Sequence, residues 1–176
     1  MIRELLNKFD PRLSTKCDEW QFNDSSGELA AAEELFHDLR DTMCHNRGIG
    51  LSAPQVGIMS RAFVLGNPED PSSVVAFFNP RVVDILGEDV YIEEGCLTYP
   101  GMFIRVKRPR AVRVRATDWR GETETFQFEG ITARVFLHEL DHLDGVTFVK
   151  RASPIYLEKA RQQMKKLNRQ RRRNAS

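Results

Sequence analysis

The chain has 176 residues and a formal net charge of +1, with 41% apolar residues, eleven phenylalanines and three cysteines. That length and composition fit one globular domain with its own core, and they exclude a disordered chain or a disulfide-stapled scaffold. No apolar run approaches the roughly 20 residues of a membrane span, and "MIRELLNKFDPRLS" lacks a signal-peptide core, so the expected compartment is cytoplasmic, with an organelle- or virus-encoded origin left open.

In chain order, residues 27–46 ("GELAAAEELFHDLRDTMCHN") predict an amphipathic helix. Leu29, Ala32, Leu35, Phe36, Leu39 and Met43 recur at threes and fours, with Ser25 or Ser26 as N-cap. In "RGIGLSAPQVG" the glycines at 48, 50 and 57 and Pro54 predict a loop or irregular strand. Strand-like segments come next: "RAFVLG", "SSVVAFFNP", "RVVDILGED", "DVYIEEGCL", "FIRVKR", "AVRVRATD" and "ETETFQFEG". "RGET" (120–123) predicts a hairpin turn between the last two. A second helix is expected over about 130–143, with Ile131, Val135, Leu140 and Leu143 toward the core. A third starts near Ser153, with Pro154 in its first turn. This order is an α+β pattern with a mostly antiparallel sheet.

The second helix carries H-E-x-x-H as His138, Glu139 and His142. Four residues of helix turn through about 400°, so the two imidazoles lie one above the other. Both can reach one metal ion, with the glutamate beside them as a proton carrier. The pattern equally fits a helix with two hydrogen-bonded surface histidines. A catalytic site of this kind takes three protein ligands. The longer pattern H-E-x-x-H-x-x-G-x-x-H holds as far as Gly145 and then fails, with Phe148 in the histidine position and no histidine after His142. A glutamate from a later helix is another solution, and only Glu158 is available for it. Upstream, Cys96 in "EEGCLTYPG" follows a predicted strand in a glycine-bounded turn, where a thiolate beside two imidazoles makes a sound divalent-metal site. A buried inert thiol is the competing reading. Cys17 and Cys44 lack such a turn and are assigned as inert, and His37 and His45 are assigned to the surface.

Three stretches, "GIGLSAPQ" (48–55), "EGCL" (94–97) and "HELDH" (138–142), closely match, in that order, the three motifs of peptide deformylases. The chain resembles that family from "FDPRL" through "DHLDGVTF", most of its length. The resemblance implies an α+β fold with H-E-x-D-H on a central helix. It also implies that Cys96, His138 and His142 bind one divalent ion, commonly Fe2+, with Zn2+, Ni2+ or Co2+ able to replace it. The implied reaction is hydrolysis of the N-formyl group of formylmethionyl nascent polypeptides, with release of formate. Glu139 would carry the proton from water to the leaving nitrogen, and the Gln55 amide and Leu97 backbone N–H would face the oxyanion. Gly50 would keep the formyl end narrow, and the Ile49–Gly50 backbone would pair with the extended substrate. Asp141 is either a partner of a ligand histidine or a solvent-facing helix residue. Ile131 and Val135 either line a methionine pocket or belong to the core. Leu137 and Thr98 stand where relatives commonly have glutamine and serine, which bears on substrate preference more than on the reaction. Gly48, Gly50 and Ala53 also satisfy a dinucleotide-binding fingerprint, rejected because they follow a helix and Pro54 sits at the start of the helix they should open.

Charge is unevenly placed. Eight of the 26 basic residues follow Glu158 with no acidic residue among them, which leaves 18 basic against 25 acidic in 1–158. The expected division is a catalytic domain, 1–152, and a basic C-terminal helix or tail, 153–176. Leu157, Ala160, Met164 and Leu167 form one stripe on that helix. It is either a solvated helix or, as in the bacterial deformylases it resembles, an anchor on the ribosome near the nascent-chain exit, where cations suit rRNA phosphates. No membrane or DNA partner is expected. Two other readings stand beside the deformylase. A peptidase built on the same helix would need neither Gln55 nor Cys96. An RNA- or ribosome-binding protein with a structural metal would need a closed site, and no fourth ligand is evident.

Overall fold

The computed structural model describes residues 1–23 and 27–174. Helix α1, Glu28–His45, buries Ala32, Leu35, Phe36, Leu39 and Met43, the stripe its spacing predicts. The expected cap at Ser25 or Ser26 lies outside the described residues. A short strand β1, Gly50–Ser52, follows, then a single 3-10 turn, Ala53–Val56. Strands β2 (Ala62–Leu65), β3 (Val75–Gly95), β4 (Phe103–Thr117) and β5 (Thr123–Glu129) come next. With β1 they form a five-stranded antiparallel sheet in chain order, β1-β2-β3-β4-β5. Helices α2 (Gly130–Leu143), α3 (Phe148–Arg151) and α4 (Pro154–Asn174) complete an α+β fold.

Segments expected as separate strands are joined here, three of them in β3 and two in β4. The β3–β4 pairing shifts register between Phe78 and Arg81, Val82 and Asp84, and Leu86 and Asp89. Such bulges bend a strand and interrupt its alternation without ending it. The β4–β5 hairpin closes at the expected place, with the Asp118 N–H donating to the Glu122 carbonyl at 2.8 Å and Gly121 at φ +87°. Helix α3 was not expected, because four residues are too few to display a helical period.

Three clusters build the core. Helix α1 packs on β1, β2 and the first residues of β3. Helix α2 packs on the other face of β2 and β3, and on β4 and β5, through phenylalanines: Phe136 meets Phe63 at 5.0 Å and Phe77 at 5.4 Å between ring centroids, both edge-on. Each such pair contributes about 0.5–1.5 kcal/mol beyond its buried area. Ile104, Val106, Phe148 and Ala160 seat α3 and α4 on the β3–β4 hairpin, against Cys96 and Tyr99. Helix α2 is thereby enclosed, and Arg134, His138, Glu139, Asp141 and His142 on it are all buried. Buried charges need partners or an ion. Helix α4 is packed intermittently as far as Met164 and is exposed from Lys165 through Arg173. Among the described residues no helix is long and apolar enough to cross a membrane.

Candidate metal centre

Helix α2 presents His138 and His142 one turn apart, their ring centroids separated by 5.0 Å. The end of β3 delivers Cys96, whose Sγ lies 3.4 Å from His142 Nε2. One donor atom from each of Cys96, His138 and His142 lies within 4.8 Å of the other two, and among the described residues this is the one such cluster. Sulfur at about 2.3 Å and nitrogen at about 2.1 Å from one tetrahedral ion stand about 3.6 Å apart. The donor set therefore fits a divalent ion, and its softness suits a first-row transition metal or zinc. Among the described residues, His142 Nδ1 and Glu139 Oε2 are buried without a hydrogen-bond partner. Phe148, in the position of the missing histidine, packs its ring 5.6 Å from that of His138. Cys17 and Cys44 lie elsewhere, and burial pushes both thiols up, Cys17 to about 11.

His138 Nδ1 is 2.9 Å from Glu94 Oε2, which leaves Nε2 for an ion. Glu94 in turn accepts from Arg108 Nε at 2.7 Å, Arg108 Nη2 at 3.1 Å and Arg134 Nη1 at 2.9 Å. Burial alone would raise the Glu94 carboxyl, but hydrogen bonds from His138 and Arg108 outweigh it and hold the group at about 2. The partner of the histidine is thus Glu94. Asp141 is buried rather than solvent-facing, and it accepts from Arg108 Nη1 at 2.7 Å and from Arg151 Nη2 at 2.6 Å. Sequence reasoning quoted Glu94 within a motif without giving it a role, and it passed over Arg108 and Arg134. Charged residues on an alternating strand or an amphipathic helix read as solvent-facing, and only their pairing in space reveals Glu94, Arg108 and Arg134 as internal.

Burial, with the charges of His138 and Arg108, pushes His142 well below its ordinary value, so it is the neutral imidazole a metal requires. Burial also works against charge on His138, yet hydrogen bonds to Cys96 and Glu94 prevail and raise it to about 10. An ion bound there takes the place of that proton. Glu139 is lifted by burial to about 7, against the pull of His138 and Ser52. A carboxyl that exchanges its proton near neutrality suits acid–base work.

Gln55 Oε1 accepts from the Ser52 N–H at 2.9 Å and the Ser52 hydroxyl at 2.8 Å, while its NH2 donates to Thr98 Oγ1 at 3.1 Å and Cys96 Sγ at 3.5 Å. This network decides which end of the amide faces the sulfur. Among the described residues the Leu97 N–H has no hydrogen-bond partner. Both groups border a cleft of about 550 Å3 together with Ile49, Gly50, Ile131, Val135 and Glu139. That volume lies within the range of small-ligand sites. Ile131 is 57% exposed at the mouth, not in the core, and Val135 is half-buried in the wall. Strand β1 ends the sheet, and the Ile49 carbonyl just before it accepts from the Gly66 N–H at 3.2 Å. A Cβ on Gly50 would stand 2.7 Å from both Glu139 Oε1 and Val135 Cγ1, closer than real contacts allow. His37 is partly exposed and His45 exposed, both away from the cluster.

The family model described as Polypeptide deformylase matches residues 2–158. The chain is 41% identical over 127 residues to a peptide deformylase of Desulforudis audaxviator, which covers 72% of this chain and 81% of that protein. Its structure is similar to the crystal structure of a peptide deformylase from Legionella pneumophila, with a TM-score of 0.82, 33% identity, and 98% and 99% of the two chains covered. It is also similar to a peptide deformylase from Synechococcus elongatus solved in complex with actinonin, with a TM-score of 0.79, 30% identity, and 90% and 83% covered.

Proposed function

The chain belongs to the polypeptide deformylase family, and on that premise we propose that Cys96, His138 and His142 hold its metal ion while Glu139 carries the proton. The enzyme is a metal-dependent hydrolase that removes the N-formyl group from formylmethionine at the start of new polypeptides, releasing formate and a free amine. Held by these three donors, a divalent ion would lower the pKa of a water and so supply a nucleophile near neutral pH. Glu139, buried beside the donors, takes the water's proton and delivers it to the departing nitrogen. The Gln55 NH2, aimed by Ser52, and the Leu97 N–H donate to the formyl oxygen as it gains charge. Gly50 narrows the formyl end, Ile131 and Val135 border the methionine side chain, and the Ile49–Gly50 backbone pairs with the chain that follows.

The observation that carries this reading is the approach of Cys96 Sγ to His142 Nε2 beside a buried, unpartnered Glu139 carboxylate oxygen. Fe2+ is the proposed resident ion, with Zn2+, Ni2+ or Co2+ able to occupy the same donors. Anaerobic, Fe2+-loaded protein assayed on a formylmethionyl peptide, beside Glu139→Ala, tests both roles. No formate from the wild type, or equal formate from the variant, overturns the assignment.

The proposed division is a catalytic domain over 1–152 and a basic element over 153–176 that docks on the ribosome in the cytoplasm. Its support is that the exposed stretch of α4 carries Lys165, Lys166, Arg169, Arg171, Arg172 and Arg173, cations suited to rRNA phosphates. Co-sedimentation with ribosomes should fall steeply with salt and be lost from a chain ending near Pro154; equal sedimentation of the two chains excludes docking by this helix.

A further inference from the structure

We propose that Arg134 is a positioning residue for the metal centre: from one helical turn before His138 it fixes the Glu94 carboxylate that holds the His138 ring. The inference rests on the reading of Cys96, His138 and His142 as ligands.

Arg134 and His138 are four residues apart on α2, so both side chains project from one face and reach the same carboxylate. Arg134 Nη1 donates to Glu94 Oε1 at 2.9 Å, and His138 Nδ1 meets Oε2 at 2.9 Å. The same Nη1 donates to the Val106 carbonyl at 2.7 Å, and Nη2 donates to the Val90 carbonyl at 2.8 Å. One guanidinium therefore ties the carboxylate to α2 and to the backbone of both strands of the β3–β4 hairpin. That hairpin also delivers Cys96, from the end of β3. Arg134 thus connects the two elements that bring the three donors together.

Arg108 cannot replace it. Its Nε and Nη2 hold Glu94 from the other side, while its Nη1 is committed to Asp141. Without Arg134, Glu94 Oε1 keeps one donor, the Val106 and Val90 carbonyls lose this one, and the carboxylate loses its tie to α2 while the Arg108 fork on β4 still grips it. A shift of the carboxylate relative to α2 passes to the His138 ring, because the hydrogen bond on one ring nitrogen sets the direction of the other. Among the described residues Arg134 makes no hydrogen bond to the donors or to the Glu139 carboxylate, so its effect passes through Glu94 and the hairpin backbone.

The test uses the full chain with Arg134→Gln and Arg134→Lys. Zn2+ affinity is measured by competition with a chromophoric chelator, and the visible bands of the Co2+-substituted protein are recorded beside the unfolding of the metal-free chain. Outer partners of metal ligands are typically worth about 10–100-fold in affinity. Arg134→Gln is expected to lose that much and to shift the cobalt bands, and Arg134→Lys, which keeps a cation for Glu94 and Val106, to recover most of it. Wild-type Zn2+ affinity in Arg134→Gln overturns the proposal, even if the variant is less stable. Equal losses in both variants with unshifted cobalt bands also overturn it, since general loosening of α2 gives that result. A wild-type chain that binds neither ion defeats the ligand reading itself, a separate outcome.

Discussion

Replacing Gly50 by alanine adds one methyl group to the wall of the cleft. Its carbon would stand 2.7 Å from Glu139 Oε1 and equally close to Val135 Cγ1. Ordinary contacts begin near about 3.5 Å, so one or both side chains must retreat by roughly 0.8 Å. Overpacking of this kind costs about 1–3 kcal/mol of stability, a fall of several degrees in Tm for a chain of this size. Catalysis should suffer more, because a displacement near 1 Å in a reacting group costs about 100-fold, equivalent to about 2.7 kcal/mol of transition-state stabilisation. The assay is formate release from a formylmethionyl peptide, reported as kcat/KM, with thermal unfolding alongside. Adding Val135→Ala separates the two contacts: recovery of stability without recovery of kcat assigns the catalytic loss to a displaced Glu139. A Gly50→Ala enzyme with wild-type kcat/KM and Tm would refute the argument that this position is closed to a side chain.

Three further predictions concern the frame that holds the site. Phe136→Ala removes a ring enclosed by Phe63 and Phe77, and denaturant titration should find about 3–5 kcal/mol less stability; a loss under about 1 kcal/mol would mean the aromatic cluster does not anchor α2. Asp141→Ala takes the carboxylate from Nη1 of the buried Arg108 while Glu94 still holds its Nε and Nη2, and should cost about 1–3 kcal/mol, whereas Arg151→Ala, at a half-exposed partner of the same carboxylate, should cost no more than about 1 kcal/mol. The reverse ranking would contradict this description of the network. Glu94 makes stability acid-dependent: its carboxyl stands at about 2 folded against an ordinary 4.5, so its contribution of about 3 kcal/mol is complete above pH 4.5 and lost as the pH falls toward 2. In metal-free protein the decline in unfolding free energy over that interval should be shallower for Glu94→Gln, and parallel curves would reject the assignment.

Helical periodicity located α1 and α2 closely, since Leu35, Phe36, Leu39 and Met43 face one core and the pattern around His138 spans four turns. It was less informative where geometry departs from a single period. Bulges near Val82 and Leu86 broke the alternation of β3, so one bent strand read as several. Ile131 stayed open between core and pocket because an apolar residue on a helix looks alike whether it meets a core or a cleft mouth. At the centre, residue types and spacing pointed to His138, Glu139 and His142, and the motif around Cys96 singled out the nearby sulfur. The supporting charges were not legible. Glu94, Arg108 and Arg134 lie far apart in sequence, and nothing local distinguishes an arginine that ends in a buried carboxylate from one that ends in water.

The far half of α4 has a consequence for clearance. Met164 Sδ lies 3.7 Å from where a Cβ on Gly101 would sit, and Gly101 lines the cleft. The nine residues beyond it, 165–173, extend about 14 Å at 1.5 Å per residue. A partner that holds only the tip of this stretch would therefore stand about 14 Å from the cleft rim and leave the entrance open to an incoming chain.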